Sequence, residues 1–182
     1  MRYTANKKNI LKLNDGFIFA IVIFFALLLR LVSLDNRPLH TDEAVHAVKF
    51  GELLENGNYI YDPIEYHGPT LNYFTLIPAW LSGEETFSEI SEYTIRLVPA
   101  IISVLMIALF IAVPRERNRF VPLATFLLAI SPVFVFYSRY YIQESLLVTF
   151  TYSAIVTFYK YFRSNQKRWI ILSSIFLLVN LD

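Results

Sequence analysis

The chain has 182 residues, 55% apolar and 16% aromatic, with a net charge of +1 and positive mean hydropathy. Such a composition excludes an ordinary soluble domain and offers no basic excess for nucleic acid; it describes a multi-span membrane protein of the all-α class. With no cysteine, neither a disulfide framework nor thiolate chemistry is available.

Met1–Gly16 carries Arg2, Lys7, Lys8 and Lys12, a basic approach that the positive-inside rule places in the cytoplasm. Phe17–Leu34 is the first expected span. Arg30, near its outer end, is expected either to snorkel to the interface or to meet an anionic lipid headgroup. From Asp35 the character changes. Eleven of the fifteen acids lie between Asp35 and Glu92, with only Arg37 and Lys49 as bases among them. Thr41 is the expected N-cap of a helix from Asp42 to about Glu55, stopped by Asn56-Gly57. Val45, Val48 and Leu53 give that helix an incomplete apolar stripe. An extended aromatic segment, Tyr59–Tyr66, and a His67-Gly68-Pro69 turn follow.

Thr70–Leu81 decides the topology. At about 12 residues it is shorter than the ~17 a span needs. If it lay in the interface, residues 35–94 would form one outer loop and Ile95–Val113 would cross inward. Arg115–Arg119 would then be a cytoplasmic hairpin, and Phe120–Tyr137 would cross outward. Ser138–Glu144 becomes a second outer loop, and Ser145–Tyr161 crosses inward towards Lys160, Arg163, Lys167 and Arg168. If Thr70–Leu81 crossed instead, the acidic tract would be cytoplasmic and Arg115–Arg119 outside, both against the charge rule. About five spans are expected. The last, Trp169–Leu181 before Asp182, is too short to finish, so the chain reads as the N-terminal part of one membrane domain.

Three groups of residues carry candidate chemistry. Asp42 and Glu43 are either first-turn acids complementing a helix dipole or a carboxylate pair in which mutual repulsion raises one proton affinity, as a general base requires. They also leave room for a divalent cation, Mg or Mn. Tyr66-His67-Gly68-Pro69 is a turn with a histidine at the membrane surface. His40, His46 and His67 lack a His-Glu-x-x-His spacing, so no metal site is assigned. Arg139 and Glu144 lie at the edge of the membrane, either paired with each other or serving a site. In the preferred topology Asp42, Glu43, His67 and Glu144 share one face.

Arg37-Pro-Leu-His-Thr-Asp-Glu-Ala-Val-His-Ala47, Tyr61-Asp-Pro-Ile-Glu-Tyr-His-Gly-Pro-Thr-Leu-Asn-Tyr73, Arg96-Leu-Val-Pro-Ala100, and Ser131-Pro132 through Ser138-Arg139 to Glu144 occur in one order and spacing. Together they resemble the N-terminal part of the GT-C glycosyltransferases related to protein O-mannosyltransferases and aminoarabinose transferases, in particular an archaeal group of flippase-activity-associated membrane proteins. The resemblance implies an outer loop with juxtamembrane helices, a polyprenyl-phosphate sugar donor and inverting transfer to a protein, lipid or glycan acceptor on the outer face. It makes Asp42 the general base and Glu43 its motif neighbour. His67, Arg139, Glu144 and Arg30 would be on the substrate side. Many such relatives carry Asp where this chain has Glu144. Two other classes remain open: a non-catalytic lipid-linked-sugar-binding or flippase-associated protein, and a transporter or structural membrane protein. The crowded acidic loop argues against the last, because transporter sites favour polar breaks near the bilayer midplane.

Overall fold

The computed structural model describes residues 15–61, 68–111 and 121–179. Among them lie eight α-helices, one 3-10 turn and no strand, so the chain is all-α as its composition predicts. The helices are α1 (Asp15–Leu31), α2 (Thr41–Asn56), α3 (Thr70–Ser82), α4 (Glu92–Ile111), α5 (Val121–Ile130), α6 (Pro132–Ser138), α7 (Glu144–Ser164) and α8 (Lys167–Val179). The 3-10 turn, Phe87–Glu89, sits between α3 and α4.

Helix α4 is the shared wall. At one end its Ile95 and Val98 pack with Ala47 and Phe50 of α2, Leu71 and Ala79 of α3, Tyr141 and Leu146. Further along, Val104 and Ile107 meet Val22 and Ala26 of α1 and Ala129 of α5. Helix α4 is also the one described helix long and apolar enough by itself to cross a membrane, over Glu92–Phe110.

The expected single span Phe120–Tyr137 is two helices, α5 and α6, bent by 56° at their junction. Pro132 is the cause: it has no N–H to return to the carbonyl of Leu128, and its ring crowds the preceding turn. Arg30 supplies the missing donors. Its Nη1 donates to Ala129 O at 2.9 Å and Nη2 to Leu128 O at 3.5 Å. Nε reaches Ser103 Oγ of α4 at 2.8 Å. Arg30 is 0% exposed, which corrects the expectation that it snorkels or meets a lipid headgroup. A guanidinium presents five donors in a fixed fork, and here the fork fits carbonyls freed by a proline better than it would fit an open interface.

Helix α2 ends where Asn56-Gly57 predicts, with Gly57 in the left-handed region at φ +68° and its N–H on Leu53 O. Its start differs: His40, not Thr41, is the N-cap. Its packed face is also not the Val45–Val48 stripe, since both valines are exposed, whereas Glu43, Ala47, Phe50, Gly51 and Leu53 are buried. Gly51 is required there, because a Cβ would stand 2.5 Å from Phe87 Cδ2. Helix α3 has 13 residues, about 20 Å of helix, short of the ~30 Å hydrocarbon core. Its Tyr73, Ile77, Trp80 and Leu81 stay exposed, an apolar face that nothing in the described chain covers. Helices α7 and α8 close a hairpin in which Ser173 Oγ donates to Ala154 O at 3.0 Å.

The role of Arg30 is open to measurement. In the full-length protein, Arg30→Ala should lower the unfolding midpoint in detergent, because it orphans buried carbonyls at about 1–3 kcal/mol each. The loss should be the same in zwitterionic and anionic lipid nanodiscs; a loss confined to anionic lipid would return Arg30 to a headgroup.

Candidate active site

Asp42 and Glu43 are adjacent in sequence but serve different surroundings. Successive residues on a helix diverge by about 100°, so a first-turn pair cannot share one face. Glu43 points inward and is 0% exposed. Its carboxylate accepts from Arg37 Nη1 and Nη2 (2.8 and 3.1 Å) and from Arg96 Nε and Nη2 (2.8 and 3.1 Å). It also accepts from the backbone N–H of His40 (3.0 Å) and of Tyr141 (2.9 Å). Burial alone would raise its proton affinity. The bonds from Arg96, the two amides and Arg37 outweigh burial and hold its pKa at about 2. That is opposite in sign to the rise expected for a repelling carboxylate pair, and the reason is charge: two guanidiniums face Glu43, while Asp42 turns away.

Arg96 is fully committed around this anchor, and Arg37, a third exposed, is partly so. Arg96 is 0% exposed and spends its remaining donors on Leu34 O, Arg37 O and Pro38 O. Arg37 also donates to Arg139 O at 2.8 Å and lies 3.7 Å over the Tyr140 ring. Glu43 thereby ties the segment after α1, the start of α2, the first turns of α4 and the loop before α7 into one unit.

Asp42 faces the other way, its side chain 73% exposed. It lines a cavity of about 600 Å³ with His40, Val45, His46, Phe136, Tyr137, Tyr140, Ile142 and Glu144. Glu144, the first residue of α7, is exposed on the same cavity. It makes no ion pair among the described residues, so the expected alternative of an Arg139–Glu144 pair is not formed. Arg139 instead donates to Leu29 O, Val32 O and Ser33 O at 2.8, 2.8 and 2.7 Å, closing the end of α1 where Ser33 adopts a left-handed φ of +54°. A second recess of about 350 Å³ shares Tyr137 and Glu144 with the first and is walled mainly by apolar side chains, among them Met106, Val133, Phe134 and Val148.

The structure therefore brings Asp42 and Glu144 to one cavity and sends Glu43, Arg30 and Arg139 into the frame. His67 lies outside the described residues. Among the described residues no three His, Cys, Asp or Glu side chains gather closely enough to hold a metal ion. Sequence reasoning assigns no chemistry to His40 or Tyr140, both cavity-lining, and passes over Arg37 and Arg96. The last two carry a signal: a base inside an acidic loop and a base near the start of an apolar helix each need a partner.

A family model described as dolichyl-phosphate-mannose-protein mannosyltransferase matches residues 20–180, nearly the whole chain. The chain belongs to this mannosyltransferase family. No curated protein and no solved structure matches it. Membership in the mannosyltransferase family carries a membrane setting, glycosyltransferase chemistry in general and a lipid-phosphate sugar donor, in agreement with the resemblance read from the motifs.

The anchor makes a signed prediction. Because Glu43 is held at about 2 in the fold against 4.5 in an unperturbed carboxyl, its stabilisation is fully present above pH ~4.5 and is lost as pH falls towards 2. The displacement corresponds to roughly 3 kcal/mol. Glu43→Gln should lower stability at pH 7 by about 3–5 kcal/mol, since it leaves buried guanidiniums unpaired. It should also flatten the acid limb between pH 4.5 and 2 in a denaturation series. An unchanged acid limb would show that Glu43 is not the titrating anchor.

Proposed function

We propose that the protein transfers a mannose-type sugar from a polyprenyl-phosphate donor to an acceptor on the outer face of the membrane, with Asp42 as the general base. The observation that carries this reading is the location of Asp42. It is the exposed member of the acidic pair, held by a rigid neighbour, in a cavity that shares Tyr137 and Glu144 with an apolar recess. A lipid-linked sugar needs both surfaces, a polar one for the sugar and an apolar one for the first prenyl units.

In the proposed step Asp42 takes the proton of the acceptor hydroxyl as its oxygen bonds to the sugar's anomeric carbon. The bond from that carbon to the phosphate oxygen breaks, and its electron pair leaves with the lipid phosphate. The acceptor enters opposite the leaving phosphate, so the configuration inverts. Glu43 acts on the reaction only by fixing the start of α2. Glu144, on the same cavity, orients substrate hydroxyls. The topology that fits is a cytoplasmic N-terminus with residues 35–94 outside and α3 lying in the interface, its exposed Tyr73, Ile77, Trp80 and Leu81 towards lipid.

A non-catalytic protein that only holds the lipid phosphate is the competing reading. It would draw on Arg30 and Arg139, whose N–H groups are instead given to carbonyls. In full-length protein with a labelled polyprenyl-phosphate mannose, Asp42→Asn should cut transfer by about 10²–10⁴-fold while leaving membrane insertion and donor binding intact. Full activity in that variant would remove Asp42 from the chemistry.

A further inference from the structure

The proposed chemistry makes no use of His40, although this residue lines the same cavity as Asp42. It is the N-cap of α2, a position where Ser, Thr, Asp and Asn serve best. Its Nδ1 accepts from Asp42 N at 3.4 Å, and with Glu43 it forms a capping box in which the Glu43 carboxylate takes the His40 N–H at 3.0 Å. Only the Nδ1 side of the ring takes part in this cap. The ring is 56% exposed, lies on the cavity wall and leans on Tyr140 with centroids 6.0 Å apart.

The distribution of donors gives the ring its use. The cavity wall carries two carboxylates, Asp42 and Glu144, which in ionised form only accept hydrogen bonds. Among the described residues no lysine or arginine lines it; Arg96 and Arg139 spend donors on Glu43 and on main-chain carbonyls, and Arg37 lies over the Tyr140 ring. Among the described lining residues the side-chain N–H and O–H donors are the imidazoles of His40 and His46 and the hydroxyls of Tyr137 and Tyr140. When Nδ1 of a neutral His40 accepts the Asp42 amide, the ring carries its N–H on Nε2, the ring nitrogen away from that amide. Asp42 Oδ2 is 3.5 Å from Nδ1. One helix start thus presents a proton acceptor and, just beyond it, a fixed N–H donor.

We infer that His40 is an acceptor-binding residue, its Nε2–H bonding a second oxygen of the molecule whose reacting hydroxyl is held by Asp42. This rests on Asp42 being the base. In an inverting transfer the base and the leaving phosphate stand on opposite sides of the anomeric carbon. A group beside Asp42 therefore contacts the acceptor rather than the lipid phosphate. The acceptor it suits carries an oxygen next to its reacting hydroxyl.

The test uses the full-length protein in membranes with labelled polyprenyl-phosphate mannose, and follows label passing to acceptor separately from label released as free mannose by water. His40→Ser keeps a good N-cap and removes the imidazole. It should lower transfer about tenfold, the loss of one hydrogen bond to bound acceptor. The slow release to water and the KM for donor should stay within twofold of wild type, and the melting temperature should hold or rise. His40→Gln, which restores an N–H donor, should recover part of the transfer. Normal transfer in His40→Ser would reduce the residue to a cap, and an equal fall in transfer and water release would place it on the donor side; either overturns the inference. Asp42→Asn in the same assay separates the two levels. If it abolishes transfer while His40→Ser is normal, only the role of His40 falls. If Asp42→Asn is fully active, the reading of the site falls with it.

Discussion

A single buried carboxylate organises this end of the molecule. Glu43 accepts six hydrogen bonds, four from two guanidiniums and two from main-chain amides, drawn from three separate stretches of chain. A buried ion pair is not by itself a strong source of stability, because desolvating the charges costs several kcal/mol. Its value here is geometric. Each donor has one orientation that satisfies Glu43, so α2, α4 and the loop before α7 have one mutual arrangement. Tyr141 contributes at both ends, its N–H on Glu43 and its hydroxyl on Asn72 Oδ1 of α3 at 3.0 Å.

That arrangement makes a neighbouring carboxylate usable. An exposed aspartate on a loose loop would be solvated and mobile, whereas Asp42 is one residue from the most restrained point of the chain. Preorganisation of this kind lets a side chain contribute to a transition state without being ordered during the reaction. The adjacent acids thus divide the labour. Charge on Glu43 holds the scaffold and charge on Asp42 is left for a ligand.

Much of the architecture is legible in the sequence because it rests on length and local chemistry. Asn56-Gly57 stops α2, Thr70–Leu81 forms a helix too short to span, and the motif order resembles the family to which the chain belongs. The packed face of α2 is easily misread because Val45 and Val48 stand out as apolar, although the set that packs is Glu43, Ala47, Phe50 and Gly51. An acid at the head of that i, i+4, i+7, i+8 stripe is a signal that it is buried and paired. The partners are less visible. Arg96 lies 53 residues from Glu43 and Tyr141 98 residues away, and only the fold brings them together. Arg30 is misplaced by sequence for a similar reason: besides Ser103, its partners include the Leu128 and Ala129 carbonyls freed by Pro132, in a helix up to 99 residues later.

That distance has a consequence for how the protein is made. A charged residue near the end of the first apolar helix must enter the membrane before α5 has been synthesised. At about 5–20 residues per second, the 99 residues from Arg30 to Ala129 take on the order of 5–20 s. For that interval the guanidinium has Ala26 O of its own helix and, once α4 is made, Ser103 Oγ to bind, but no carbonyls of α5. Its partners are completed last, at the Pro132 bend, so that docking of α5 onto α1 is closed by a residue made long before it.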